Sequence, residues 1–169
     1  WKEVVLTGIN LWAWWSSTSN NFKESKLSEL LEEILAKTKV ERLKISSLWV
    51  EFLDDKLFKI LESSRICPHF HLSIQSGSDK ILSKMNRHYD RAKIIRVLDK
   101  FKNLERQDGV LVSIWADFIV WFPGETEEDF QATATAMREC QFDFAFIARY
   151  SPRSGTIATT KYEDDITPE

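Results

Sequence analysis

With 169 residues, 43% of them hydrophobic and 29% charged, the chain has the composition of one globular domain or part of a larger one. A formal net charge of −3 excludes a global attraction to nucleic acid, so any RNA contact must be local. Its two cysteines, Cys67 and Cys140, stand far apart, which excludes a disulfide framework or a multi-cysteine metal motif within the chain.

No run approaches the apolar length of a membrane span and no signal peptide opens the chain, so a cytoplasmic protein without membrane contact is expected. Strand and helix patterns then alternate. Glu3–Thr7 reads as a strand from the first residues onward, and both ends of the chain read as cut rather than finished. The polar loop 16–21 reads as exposed. Leu27, Leu30, Leu31, Ile34 and Leu35 recur at helical spacing. A strand is expected over Arg42–Ser47, followed by a short helix after Asp54 and Asp55 that carries Leu57, Ile60 and Leu61. His69–Gln75 reads as the next strand. Ser78 is placed to cap a helix with Ile81, Leu82 and Met85, and Asp90 to cap one with Ile94, Ile95, Leu98 and Phe101. The run Val110–Phe122 reads as a strand with an irregular start. It turns at Pro123-Gly124 into a helix opened by Thr126, whose first turn is acidic, with Phe130, Ala134 and Met137 facing inward. Phe142–Tyr150 closes the series.

Strands separated by crossovers that each contain a helix describe βαβ units and a parallel sheet, as an open doubly wound sheet or a partial (β/α) barrel. No glycine-rich dinucleotide fingerprint follows the first strand, which weighs against the Rossmann form. In either architecture ligands meet the carboxy ends of the strands. Those ends carry Thr7-Gly8-Ile9-Asn10, Ser46-Ser47, Gln75-Ser76-Gly77-Ser78-Asp79, Asp117 through Glu125, and Arg149-Tyr150-Ser151-Pro152-Arg153. Amides and hydroxyls dominate and general bases are few, which suits holding a polar ligand more than acid–base hydrolysis. Arg149 and Arg153 flank Tyr150 and suit a phosphate or a stacked base, or simply a solvated strand end. His69 and His71 could place two imidazoles on one face of a strand, as in metal-dependent hydrolase barrels, provided other strand ends supply further ligands. A non-catalytic RNA-binding piece is a third reading, opposed by the negative net charge.

Six segments in order and register carry a resemblance: Val5–Asn10, Leu43–Leu48, His69–Asp79, Met85-Asn86-Arg87, Asp117–Phe130 and Tyr150–Thr156. Together they resemble the radical-SAM methylthiotransferases along essentially the whole chain. The Leu6-Thr7-Gly8-Ile9 and Ile45-Ser46-Ser47 variants look most like the branch acting on N6-threonylcarbamoyladenosine in tRNA. The isopentenyladenosine branch and the ribosomal-protein branch stay open.

The resemblance implies an α/β fold, a partial parallel (β/α)6 TIM-like radical-SAM barrel truncated at its first strand. Residues 1–155 would form the barrel core and 156–169 the start of a linker. It implies S-adenosylmethionine and a [4Fe–4S] cluster as cofactors, and methylthiolation of an N6-modified adenosine beside the anticodon as the activity. The partner implied is the tRNA anticodon stem–loop, reached through a C-terminal domain that this chain lacks, with the protein a monomer. The cluster cysteines are absent from the chain, so the resemblance assigns no metal ligand here and implies that this piece alone is inactive. Cofactor-facing positions carried over are Asn10, Ser46, Ser47, Gln75, Ser76, Asp117, Ile119 and Trp121; substrate-facing ones are Arg149, Tyr150 and Arg153. The departures are systematic: Trp12, Trp15, Trp49, Trp115 and Trp121 stand where the family pattern has or accepts glycine. A source that reads UGA as glycine is the hypothesis this pattern suggests, and UGG codons at these positions would refute it.

Overall fold

The computed structural model describes residues 2–8, 26–163 and 165. Five strands and six helices follow one another: β1 (Glu3–Leu6), α1 (Leu27–Lys37), β2 (Arg42–Ile45), α2 (Asp55–Leu61), β3 (His69–Gln75), α3 (Asp79–Lys84), α4 (Arg91–Lys102), β4 (Ser113–Val120), α5 (Glu127–Cys140), β5 (Phe144–Arg149) and α6 (Ile157–Lys161). A short 3-10 turn over Val50–Phe52 leads into α2.

Among the described residues every strand pairing is parallel. β1 pairs with β2, and β3, β4 and β5 pair in sequence order. A parallel bridge between Leu48 and Leu72 ties the two sheets together, with the Leu48 N–H donated to His71 O and the Ser73 N–H to Leu48 O. The carboxy ends of the strands therefore lie on one side, as in a wall of a TIM-like barrel.

One face of this wall is dry. Leu43 and Ile45 of β2, Phe70, Leu72 and Ile74 of β3, and Ile114, Ala116 and Phe118 of β4 bury against Leu27, Leu31, Leu57, Leu61, Ile94, Leu98 and Phe101 of the helices. The alternate residues form the inner face, which no helix among the described residues covers: Lys44 on β2, His69, His71 and Ser73 on β3, Trp115, Asp117 and Ile119 on β4, and Phe144, Phe146 and Ala148 on β5.

Local signals set the helix starts. Asp54, Ser78, Asp90 and Thr126 each accept the backbone N–H three residues on, and Thr126 with Asp129 completes a capping box. Two arginines finish helix ends from a distance. Arg65 donates to the carbonyl of Leu35 in the last turn of α1 and to those of Thr38 and Val40 beyond it, and buried Arg106 donates to Leu61 O and Ile66 O while pairing with Asp108.

Three expectations change. β4 begins at Ser113, because Val110 and Leu111 are exposed and unpaired in the ladder. β5 begins at Phe144, after Gln141 ends α5 in the left-handed region (φ 51°). On α5 the residues turned inward are Asp129, Thr133, Ala136 and Cys140, with Met137 half-buried, whereas Phe130 is 37% exposed and Ala134 only half-buried. The reason is polar packing at its amino end: there α5 docks a strand-end turn through Asp129 and Thr133, so apolar residues alone do not mark its buried side. Beyond β5, α6 turns back to the β4–α5 turn, where Tyr162 meets Phe122 edge-on at 5.7 Å and Asp165 accepts the Gly124 N–H at 2.8 Å.

Candidate functional site

The inner face grades from bulky aromatic to smaller aliphatic residues toward the carboxy rim. Near the amino end Trp115 packs against Phe144 at 5.0 Å and His69 at 4.6 Å between ring centres, and its indole N–H donates to Ser113 Oγ. Phe146 lies against Phe144 at 4.8 Å and against the His71 ring at 5.5 Å. Phe146 stands in register with Asp117 and Ser73, and one layer higher Ile119 pairs with Ala148. Aromatic rings thus line the amino end of this face and smaller side chains its rim end, where strand ends of such barrels meet ligands.

His71 and Asp117 stand on this face between the aromatic end and the rim. Their Nε2 and Oδ1 are 2.8 Å apart, with the side chains 24% and 33% exposed. A carboxylate can only accept, so the imidazole donates from Nε2. His69 points to the lower layer. Burial, reinforced by Lys44 and His71, pushes its pKa below the usual histidine value, and its Nδ1 is buried without a partner among the described residues. No three His, Cys, Asp or Glu side chains among the described residues come together as a metal-ligand set. The hydrolase reading of His69 and His71 thus lacks further ligands, and His71 is committed to Asp117.

The β3–α3 turn is fully tied down. Gln75 takes a left-handed backbone (φ 73°) at a register shift in the ladder, and it is buried at the rim. Ser76 faces α5 instead: its Oγ lies 3.2 Å from Thr133 Oγ1 and accepts the Ser78 N–H at 3.1 Å. Its hydroxyl therefore braces the turn. Gly77 lets the turn touch α5, since a Cβ there would lie 2.8 Å from Ala132 O, Ala136 Cβ and Thr133 Cα. Ser78 Oγ and Lys80 Nζ both donate to Asp129, at 2.7 and 2.6 Å, while Thr126 gives it a backbone and a hydroxyl hydrogen bond. Burial pushes the Asp129 carboxyl upward, but Lys80, Ser78 and Thr126 outweigh it and hold the group well below the usual carboxylate range.

The β4–α5 turn is built differently. Trp121 stands at φ 62°, a left-handed backbone that favours glycine, and its indole is 41% exposed under the Arg149 guanidinium at 4.7 Å. Glu125 reaches back so that one oxygen accepts the N–H groups of Trp121 and Phe122, while Oε1 is buried without a partner among the described residues. Burial raises the Glu125 pKa against those two N–H groups. Tyr150 donates its N–H to Val120 O and stacks edge-on against Phe122 at 5.0 Å.

Register thus brings Gln75, Asp117, Ile119, Trp121, Arg149 and Tyr150 to one region of the β3–β4–β5 sheet. Ser46 and Ser47 are half-buried at the end of β2, next to the Leu48 bridge, and the Ser46 N–H donates to Leu6 O. Arg153 lies exposed beyond β5, its carbonyl accepting from Thr156. Asn10 lies outside the described residues, as do Trp12 and Trp15. Of Trp49, Trp115 and Trp121, Trp121 alone has a backbone in the glycine-favouring region. The sequence reading did not find the His71–Asp117 contact; the only signal was the shared inward parity of two neighbouring strands.

Cys67 and Cys140 are both buried, on different parts of the fold, and burial raises both thiols. Among the described residues no helix is long and apolar enough to cross a membrane.

The family model described as the Radical SAM superfamily matches residues 17–137. The threonylcarbamoyladenosine tRNA methylthiotransferase MtaB of Thermotoga maritima is 39% identical over 160 residues, covering 94% of this chain and 35% of that protein. The tRNA-2-methylthio-N(6)-dimethylallyladenosine synthase of Clostridium botulinum (strain Okra) is 38% identical over 169 residues, covering 98% and 35%. That of Methylacidiphilum infernorum is 39% identical over 161 residues, covering 94% and 34%. The chain thus spans about a third of the length of these curated relatives. Among solved structures, coproporphyrinogen III oxidase (HemN) from Escherichia coli superposes with a TM-score of 0.62 at 18% identity, over 82% of this chain and 31% of that one. The radical S-adenosylmethionine methyltransferase TsrM from Kitasatospora setae superposes at 0.59 with 15% identity, over 73% and 23%. At such identities the superpositions speak for the fold, a parallel α/β barrel wall.

Proposed function

The chain belongs to the radical SAM superfamily, and from that premise we propose that it is barrel sequence of a tRNA methylthiotransferase that adds a 2-methylthio group to an N6-modified adenosine beside the anticodon. The observation that carries this reading is 39% identity across 94% of the chain to a relative named for that chemistry. Relatives named for threonylcarbamoyladenosine and for dimethylallyladenosine are equally similar, so the reading names an N6-modified adenosine without choosing its substituent.

S-adenosylmethionine and a [4Fe–4S] cluster are the cofactors of the superfamily. The rim end of the inner face fits the first: aliphatic Ile119 and small Ala148 stand above the aromatic rings, beside polar Gln75 and the Asp117 carboxylate. It does not fit the second, because the only two cysteines are buried apart and cannot form a thiolate set. When bound, S-adenosylmethionine supplies an activated sulfonium carbon–sulfur bond. Ile119 and the aromatic rings exclude water from its apolar parts, Ser46, Ser47, Gln75 and Asp117 offer hydrogen bonds, and Arg149 and Tyr150 flank the entrance for a substrate base. Without cluster thiolates, the 169-residue chain by itself performs no reductive cleavage.

The test is expression of the complete reading frame that encodes this chain in a bacterial host deleted for its own tRNA methylthiotransferases. Mass spectrometry of digested tRNA is expected to show 2-methylthioadenosine derivatives. Unmodified tRNA, with the protein folded and its iron–sulfur content intact, overturns the reading.

A further inference from the structure

Tyr89 is packed in the hydrophobic core at 8% exposure, where a phenylalanine would fill the same space, yet it carries a hydroxyl. That hydroxyl lies 3.0 Å from both Ser73 O and Ile74 O, the two carbonyls just before Gln75. They sit at the register shift of β3, where Ser73 pairs with Asp117 and Gln75 with Phe118, so that Ile74 is the extra residue. Ile74 O also accepts the Ser76 N–H at 3.0 Å. With φ 73° at Gln75 this closes a γ-turn of the positive-φ kind, the rare and strained form. We propose that Tyr89 is a positioning residue for the ligand site: its hydroxyl holds the γ-turn that sets the Gln75 amide at the rim, and so controls ligand affinity without touching the ligand. This inference rests on the functional reading only in taking S-adenosylmethionine as the probe.

Two unfavourable features coincide at Gln75. Its backbone is strained, and its side chain is buried at 8% exposure while its amide makes no hydrogen bond among the described residues. A buried amide left unmatched is a group a ligand can satisfy, and strained backbone persists only where the surroundings over-determine it. A bulge re-aims the side chain that follows it, so whatever fixes the bulge fixes where that amide sits.

Tyr89 is itself held so that its reach is set. It follows Asn86, which takes a left-handed backbone (φ 57°), and Arg87, whose N–H donates to Leu82 O at 2.9 Å. The His88 N–H donates to the Glu51 carboxylate at 3.2 Å, and Asp90 then caps α4. Burial raises the pKa of the phenol, so it stays protonated and its single proton is shared between the two carbonyls.

The test is a double-mutant cycle on the product of the complete reading frame, read by equilibrium binding of S-adenosylmethionine and by urea unfolding. Tyr89→Phe keeps the ring and removes the hydroxyl. Gln75→Gly removes the amide and tolerates the left-handed backbone. Each single variant is expected to weaken binding about five- to tenfold, the size of one lost hydrogen bond. The double variant should bind within about twofold of Gln75→Gly alone, because the hydroxyl then has no amide to position. A merely structural hydroxyl would lower the urea midpoint and leave affinity unchanged, which overturns the inference. So does undiminished affinity in Gln75→Gly, or losses that multiply in the double variant, since the hydroxyl would then act independently of Gln75. Loss of the native fold in Tyr89→Phe overturns it too, because a group that decides folding is not acting through one side chain. Failure of the unaltered protein to bind S-adenosylmethionine also overturns it, and mass spectrometry of tRNA from the same cells then decides the functional reading separately.

Discussion

Two turns end neighbouring strands of the same sheet, and they are built on opposite plans. Both use a non-glycine residue in the left-handed region, Gln75 at φ 73° and Trp121 at φ 62°. After β3, the turn runs straight into a buried polar network in which Ser76, Ser78, Thr126, Asp129 and Thr133 satisfy one another, with Lys80 closing it from the surface. After β4, the turn exposes an indole, and the carboxylate that holds it carries a buried oxygen with no described partner. The first turn is fixed by many mutually supporting bonds; the second is held by separate contacts, Glu125 on the Trp121 and Phe122 N–H groups, Lys84 on the Pro123 carbonyl and Asp165 on the Gly124 N–H, at a cost in unmatched polarity. Rigidity at one strand end and tension at its neighbour is an arrangement suited to a site where a ligand completes what the protein leaves open.

If that contrast is right, the β3 turn should be by far the more sensitive to substitution. The largest effect is expected at Gly77→Ala. The added methyl would meet two backbone atoms of α5 and the Ala136 side chain at 2.8 Å, so α5 must move away from the turn. Overpacking against backbone is expected to remove about 3 kcal/mol, read as a lower urea midpoint at unchanged slope. Next comes Asp129→Ala, which orphans Ser78 Oγ and Thr126 N–H and leaves Lys80 without its partner. About 2 kcal/mol is expected from the loss of these charge-assisted bonds. A loss below about 0.5 kcal/mol in both variants would mean that the polar network does not hold the turn.

How legible was this from sequence? The local part was plain. Ser78, Asp90 and Thr126 were readable as caps because a cap is a matter of a side chain and the backbone three residues on. β3 was readable to the residue because Cys67-Pro68 and Ser76-Gly77 punctuate it. Contacts across the chain were not. His71 and Asp117 are 46 positions apart, and Arg106 reaches back to Leu61 and Ile66, pairings no periodicity encodes. α5 misled for a related reason: hydrophobic spacing selects Phe130 as inward, yet the turn it docks wants Asp129 and Thr133. The strain at Trp121 was visible only as an indole in a Pro-Gly turn, whereas the same backbone at Gln75 left no trace in the sequence.

A subtler difference between the turns is the sign of their pH dependence. Asp129 is depressed in the folded chain, so its contribution is complete above its unfolded value of about 3.9 and fades as pH falls below that. Glu125 is raised, so its contribution is complete below its unfolded value of about 4.3 and fades as pH rises through the folded value. Denaturation curves collected from acid to neutral pH should show Asp129→Asn flattening the acid limb and Glu125→Gln flattening the limb above it. Two variants that alter the same limb would show that the turns do not differ as described.

The smallest effect is the most diagnostic, because it separates backbone from side chain at Trp121. A left-handed backbone costs an L-residue about 1–2 kcal/mol, which glycine avoids. Glycine in turn gives up about 0.5–1 kcal/mol to the entropy of the unfolded chain. Either substitution loses the Arg149–indole contact, about 0.5–1 kcal/mol at an exposed site. For Trp121→Gly these terms cancel to within about 0.5 kcal/mol, whereas Trp121→Ala keeps the strain and loses the contact. The glycine variant should therefore be more stable than the alanine variant by about 0.5–1 kcal/mol, although it removes the larger share of side chain. Alanine equal to or better than glycine would show that the Glu125 clasp, rather than the left-handed conformation, limits this turn. In that case Glu125→Gln, and not any change at position 121, would be the substitution that relaxes it.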